Sequence, residues 1–385
     1  MLRIGANIRY TYALILKRYC FMSNADALDF PFTTPPEFGA TIDVAPGIKW
    51  LRMPLPMSLN HINLYLLDSG DGWLIIDTGI KGDNVQQYWQ QIFDNELDGK
   101  PIVGVIVTHM HPDHVGQAGW LTEKLQVPLY MSFGEYFSGR TFSESSGSSL
   151  AWTTENFLRR AGLADEFVEG FRQRARGFAD MVEPMPVAFN RLREGDELIF
   201  DTPWKIMVGE GHSPEHACLY SADKKVLLAG DQIIATITSN VSVLAIEPEA
   251  NPLALWLESH ERFKELPDDT LILPAHGLPF FGVQERLQQL IDHHEDHLDV
   301  LEYTCMTGRN SVELLPIMFK RELDKSQIVL ALGECIAHLH LLMARGKMAR
   351  RLENNGVYSY TSINKNVAVP VKREGRVSEE LQLRV

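Results

Sequence analysis

The chain has 385 residues, 45% of them hydrophobic, which is enough for two or three domains with full-sized cores that need no covalent staples. Its formal net charge of −14 disfavours general attraction to nucleic acid or anionic lipid. Cys20, Cys218, Cys305 and Cys335 are scattered without C-x-x-C spacing and read as reduced thiols of a cytoplasmic protein, not as metal ligands. No apolar run approaches the roughly 20 residues that cross a bilayer, so no integral membrane segment is expected.

Residues 1–21 carry Arg3, Arg9, Lys17 and Arg18 and no acid around the short apolar run Tyr12–Leu16, a faint targeting-peptide pattern. No small-residue cleavage site follows, and residues 1–27 read instead as a disordered tail or an upstream-extended start. From Pro31 to Pro56, prolines and short strand-like pieces such as Ile48–Arg52 suggest the edge of a sheet. Asn60–Leu67, the turn Asp68-Ser-Gly-Asp-Gly72 and Trp73–Gly79 form a β-hairpin pattern. Asp77 ends the second strand and is expected to cap the next loop or support a metal site from behind, not to ligate directly. Val85, Tyr88, Trp89 and Ile92 give Asn84–Leu97 helical spacing.

The apolar run Ile102–Val107 predicts a buried strand that delivers Thr108-His-Met-His-Pro-Asp-His114. Pro112 stops the strand and suits the first turn of a helix, so His109, His111, Asp113 and His114 gather at a strand-to-helix turn. Four such side chains in six residues favour a borderline divalent ion such as zinc. A helix over Val115–Leu125 and a strand over Pro128–Met131 complete a β-α-β rhythm.

Between about 135 and 186 the pattern becomes helical, with Phe157, Leu158, Ala161, Phe167 and Phe171 at helix spacing behind a loose segment 143–149. Tyr136, Phe137, Phe178, Met181 and Met185 are expected to line an apolar substrate pocket and set substrate choice. Strands resume at Glu197–Phe200 and Lys205–Val208 and lead into Gly209-Glu-Gly-His-Ser-Pro-Glu-His216. Glycine before His212 gives the loop freedom to place an imidazole on a metal, while His216 is expected to act as a supporting or core residue. Lys225–Asp231 and Thr270–Gly277 are buried strands ending in Asp231 and His276. The predicted set is His109, His111 and His212 for one metal, Asp113, His114 and His276 for a second, and Asp231 as the bridge.

In order along the chain, Asp77-Thr-Gly79, Thr108–His114, Gly211-His212, Gly230-Asp231 and Ala275-His276-Gly277 resemble the metallo-β-lactamase superfamily of hydrolases. The resemblance spans Asn60 to about Gly282 and implies a four-layer αββα sandwich with two metals at one edge of the sheets. Histidine at 111 and 114 with aspartate at 113 is similar to the dinuclear zinc branch around glyoxalase II, with two Zn2+ per chain, although iron or manganese suits the same ligands. True β-lactamases match less well, because Asp231 stands where their dizinc members commonly carry cysteine.

These features divide the chain into the tail 1–27, a metallo-β-lactamase-like catalytic domain 28–285 with its helical insertion, and a C-terminal domain 286–385. In that last part Leu287–Leu301, Ser311–Phe319, Ile328–His340 and Leu342–Asn354 read as helices, closed by Gly356–Tyr360. Helices with a short β wing resemble the winged-helix-like domain of some superfamily members. His293 and His297 are spaced to hold a metal, but a solvated helix face is the expected reading. Lys347, Arg350 and Arg351 form a small basic group that Glu334 and Glu353 are expected to dilute, so a lid or a homodimer contact is preferred to nucleic-acid binding.

The expected activity is hydrolysis of an activated acyl compound, thioester first and lactone next, by a metal-bridging hydroxide, with Asp113 and Asp231 as catalytic residues and a small-molecule acyl substrate as the partner. Phosphodiester cleavage and persulfide dioxygenation at a single iron are the competing readings.

Overall fold

The strand His61–Asp68 is apolar on both sides, and its two faces enter different cores. Ile62, Leu64 and Leu66 pack under helices, whereas Tyr65 and Leu67 face a second sheet. A strand buried on both faces must lie in a middle layer. The computed structural model describes residues 28–57, 59–144, 151–172 and 177–373. The expectations for residues 1–27, with Cys20, for most of the loose segment 143–149 and for the Phe171 side chain lie outside them.

The first sheet runs β1 (Ile42–Ala45), β2 (Ile48–Pro54), β3 (His61–Asp68), β4 (Trp73–Ile76), β5 (Ile102–Ile106), β6 (Leu129–Ser132) and β7 (Asn190–Leu192), in that spatial order. It is antiparallel as far as β4 and parallel from β4 to β7. β7 had no counterpart in the sequence reading. The second sheet comprises β8 (Glu197–Ile199), β9 (Pro203–Gly209), β10 (His216–Ser221), β11 (Val226–Gly230) and β12 (Leu271–Pro274), with only β11 and β12 parallel. Trp50, Leu67 and Ile106 of the first sheet meet Trp204, Leu219 and Leu228 of the second in the central core.

On the outer face of the first sheet lie α1 (Asp83–Asn95), through Val85, Trp89 and Ile92, and the short helices α2 (Pro112–Val115) and α3 (Ala118–Leu125). The expected helix 115–125 is thus two pieces, interrupted at Gly116 and Gln117. The insertion is helical as expected: α4 (Phe133–Ser143), α5 (Trp152–Arg160), α6 (Asp165–Arg172) and α7 (Gly177–Asp180). On the outer face of the second sheet, α8 (Pro252–Phe263), α9 (Val283–Thr304), α10 (Ser311–Met318) and α11 (Lys325–Ala344) share one core with Met207, Cys218, Leu227 and Ile272. The four layers are those of the αββα sandwich.

Four expectations for the C-terminal part need correction. Residues 342–354 are not one helix: Gly346, at φ 68°, takes the left-handed turn that ends α11, and β13 (Met348–Leu352) then pairs antiparallel with β14 (Tyr358–Ser362). Gln327–Ala344 has mean hydropathy 1.6 over 18 residues and is long and apolar enough to cross a membrane, which the sequence reading denied; 67% of it is buried among the helices. The face of α9 bearing His293 and His297 is not solvated, since His293 is buried and His297 half-buried against α11. The basic group is paired off: Lys347 with Glu302 at 2.9 Å, Arg350 with Glu249 at 2.7 Å and Arg351 with Glu353 at 2.7 Å. Glu334 lies inside instead, 9% exposed.

Trp204 fills the space between the sheets with no exposure, whereas Trp152 is 75% exposed. Trp204→Ala is expected to cost about 3–5 kcal/mol in urea unfolding and Trp152→Ala no more than about 0.5 kcal/mol. Equal losses would contradict the layer assignment.

Candidate metal centre

β5 ends at Ile106, and the turn after it is tied to the end of β4. The Asp77 carboxylate, on a residue at φ 61°, accepts the Thr108 amide at 2.7 Å, the Thr108 hydroxyl at 2.9 Å and His114 Nδ1 at 2.8 Å. Thr78 donates its hydroxyl to the His114 carbonyl at 2.6 Å, and Trp89 of α1 donates to the Thr78 carbonyl at 2.9 Å. Asp77 therefore stands behind His114 and is outside both ligand groups described below, in the place the sequence suggested.

The other three side chains come from the second sheet. His212 follows β9 and donates Nδ1 to the Asn240 carbonyl at 2.8 Å; His276 follows β12 and donates Nδ1 to the His61 carbonyl at 2.9 Å. Asp231 follows β11, its amide donating to His216 Nε2 at 3.0 Å and its carbonyl accepting the Ser239 hydroxyl. Gly230 is at φ 49°, and a Cβ there would sit 2.5 Å from His216 Nε2, so only glycine allows this approach. His216 is a fully buried prop, stacked on the His109 ring at 4.7 Å.

With those nitrogens committed, the opposite edges of the rings converge. His109 Nε2 lies 2.9 Å from His111 Nδ1 and 3.2 Å from His212 Nε2. Asp231 Oδ2 is 3.4 Å from His212 Nε2 and 3.9 Å from His109 Nε2. Its other oxygen, Oδ1, is 3.4 Å from His276 Nε2 and 3.6 Å from His114 Nε2, and Asp113 Oδ2 is 3.4 Å and 3.7 Å from the same two nitrogens. The structure thus gathers the seven predicted residues into His109, His111, His212 and Asp231 on one side and Asp113, His114 and His276 on the other, with Asp231 facing both.

This donor set suits two cations. His114 Nε2 and Asp231 Oδ1 are buried without a hydrogen-bond partner, an arrangement expensive for the fold unless something positive sits between them. Burial disfavours charge on both His114 and His276, yet Asp77 and its neighbours push the first well above its ordinary value and Asp231 and Asp113 raise the second. Burial would raise the Asp231 carboxyl, but His276 and His114 hold it well below its ordinary range. The carboxylates draw positive charge into the pocket. On the other side, burial and then the neighbouring His212 keep His111 neutral, with a value near 3, which leaves an imidazole lone pair for a metal.

Several supports escaped the sequence reading. Glu135 of α4 is fully buried and accepts the Met110 amide at 2.8 Å and the Glu215 amide at 2.7 Å, joining the loop of His109 and His111 to that of His212; burial pushes its carboxyl up. Asn240 and His61 act through backbone carbonyls, for which no sequence pattern exists. The centre opens into a cleft of 630 Å³. Of the insertion residues expected there only Met181 lines it, joined by Ser138 and Phe142. Tyr136 is instead buried against Phe189 at 3.8 Å, Phe178 packs on Phe142, Met185 lies against Gly139 and Phe137 is exposed. Phe319, Leu323, Leu330 and Ala331 from the C-terminal helices and their connection form another wall.

A family model described as the metallo-beta-lactamase superfamily matches residues 58–276, and one described as the metallo-beta-lactamase-like C-terminal domain matches residues 298–363. A crystal structure of a beta-lactamase domain protein from Burkholderia ambifaria is 43% identical, covers 88% of this chain and 99% of its own, and superposes with a TM-score of 0.82. The probable metallo-hydrolase YqjP of Bacillus subtilis (strain 168) is 25% identical over 81% of this chain and 97% of its own length. The acyl-coenzyme A thioesterase MBLAC2 of Homo sapiens is 25% identical over 67% and 87% respectively. On this evidence of fold, donor set and kinship, the chain belongs to the metallo-beta-lactamase superfamily and is one of its metallo-hydrolases.

Proposed function

We propose that the protein is a dinuclear metal-dependent hydrolase of thioesters with an apolar acyl group. The observation that carries this reading is Asp231, which turns one oxygen toward each of two imidazole-bearing groups at the base of a largely apolar cleft. His109, His111, His212 and Asp231 would hold one ion, and Asp113, His114, His276 and Asp231 the other. Nitrogen and oxygen donors in these numbers suit zinc, and they accept iron or manganese as well. When bound, two such ions lower the pKa of a shared water and polarise a carbonyl oxygen.

The chain's own residues supply the rest. Asp113 lines the cleft, where its carboxylate can orient the attacking water and hold its proton. Met181, Phe142 and Leu330 exclude bulk water from the acyl chain and give it apolar surface. Cys218, Cys305 and Cys335 are buried away from the cleft lining, so no described thiol is placed as a nucleophile. The named activity of the MBLAC2 relative supports a thioester. A lactone would use the same centre. Phosphodiester cleavage gains little from the C-terminal part, where Lys347, Arg350 and Arg351 are engaged by acids. Kinship with glyoxalase II in particular rests on the pattern His109-x-His111-x-Asp113-His114, and a winged-helix reading on the order of helices and hairpin.

The test is a screen of the purified, metal-quantified protein against acyl-CoA and glutathione thioesters, lactones and bis(p-nitrophenyl) phosphate. Thioester turnover is expected with KM falling about fourfold for each methylene buried in the cleft. Cleavage of the phosphodiester alone, or one iron per chain with persulfide oxidation, would overturn the reading. Asp231→Ala is expected to abolish turnover and lower bound metal with an unchanged circular dichroism spectrum; full activity in that variant would exclude a two-metal mechanism. Glu135→Gln can accept only one of the two amides that Glu135 holds, so kcat or metal affinity should drop about 10- to 100-fold and the unpaired amide should cost about 1–3 kcal/mol in urea unfolding.

A further inference from the structure

The pair His293 and His297 is not used by the centre described above. Four residues apart on α9, the two imidazoles share one helix face, and their rings lie 4.4 Å apart. That face meets α11, which brings Glu334 alongside: one donor atom from each of the three residues lies within 4.8 Å of the others. His293 and Glu334 are buried and His297 is half-buried. Around them, His338 Nδ1 donates to the Glu334 carbonyl at 2.8 Å, and His338 Nε2 lies 3.0 Å from His294 Nδ1.

A closed hydrogen-bond network would be the ordinary explanation of so many imidazoles between helices. It fails to account for His297 Nδ1 and His294 Nε2, both buried with no hydrogen-bond partner among the described residues. The unpartnered His297 atom thus lies in a group of two imidazoles and one carboxyl whose donor atoms converge between α9 and α11. Two imidazoles and a carboxylate are the donors of a three-ligand zinc site with a fourth position open.

We propose that His293, His297 and Glu334 form a third site for a divalent transition ion of the zinc type, separate from the Asp231 pair. Glu334 Oε2 accepts Asn240 Nδ2 at 3.0 Å, and the Asn240 carbonyl accepts His212 Nδ1 at 2.8 Å. An ion here fixes α11, and with it the cleft wall formed by Gln327, Leu330 and Ala331, to the loop that orients His212.

The full chain, loaded with Zn2+ and desalted, is expected to carry about one metal equivalent more than either His293→Ala or His297→Ala prepared in the same way, as measured by elemental mass spectrometry. Loading with Co2+ should show visible d–d absorption that each variant loses in part. If an alanine variant fails to fold, His297→Gln, nearly isosteric and without an imidazole, gives the same comparison. Identical metal content in the wild type and a folded variant would overturn the proposal.

Discussion

The centre depends on hydrogen bonds made at the far side of its imidazoles. His114, His212 and His276 each commit Nδ1 to an oxygen of another segment, at Asp77, Asn240 and His61 respectively. A ring so held cannot rotate, and its Nε2 lone pair must point inward. Without those three oxygens the same histidines could turn toward solvent and spread their nitrogens. The unpaired inward atoms would then carry no penalty, and nothing in the chain would require a cation.

Those oxygens are in place because the two sheets put neighbouring strand ends side by side. In the first sheet, Ile76 pairs with Ile106 in parallel, and the Asp77 amide extends the ladder to the Ile106 carbonyl at 2.8 Å. This sets Asp77 beside the Thr108–His114 turn. In the second sheet, β11 and β12 are also parallel, and the Ala275 amide reaches the Gly230 carbonyl at 2.9 Å, which seats His276 next to Asp231. The Asn63 amide joins the sheets by bonding to the Ala275 carbonyl at 2.7 Å. Parallel strands end together at one edge, and a ligand site at their carboxyl ends follows from that topology.

What the sequence disclosed follows from this geometry. His109, His111, Asp113 and His114 are legible because ligands within six residues need no fold to bring them together, and Asp231 and His276 because a buried strand ending in glycine and a polar residue marks a site edge. Glu135 and Asn240 were invisible, since a side chain that serves distant amides, or a carbonyl that serves a distant ring, leaves no local pattern. The insertion aromatics were misplaced for another reason. Periodicity reports that Tyr136 is buried but not which of two apolar surroundings receives it, and it stacks on Phe189 in the core instead of facing the cleft. On α9, flanking acids such as Glu295 and Asp296 gave the helix a solvated look, although Glu295 is paired with Arg345 at 2.6 Å and the histidines face inward.

The apolar residues of α11 are divided between two faces of the helix. Gln327, Leu330, Ala331 and Glu334 follow the i, i+3, i+4, i+7 spacing of one face, and all four line the cleft. Leu332, Cys335, Ile336 and Leu339 repeat that spacing on another face and enter the core shared with the second sheet. The helix therefore has two separate duties, a mixed face of Gln327, Leu330, Ala331 and Glu334 toward the cleft and an apolar face toward the fold. Binding and stability are consequently separable on this helix. Enlarging a side chain at Leu330, 49% exposed, reshapes the cleft wall, whereas altering Leu332, with no exposure, opens a cavity in the core.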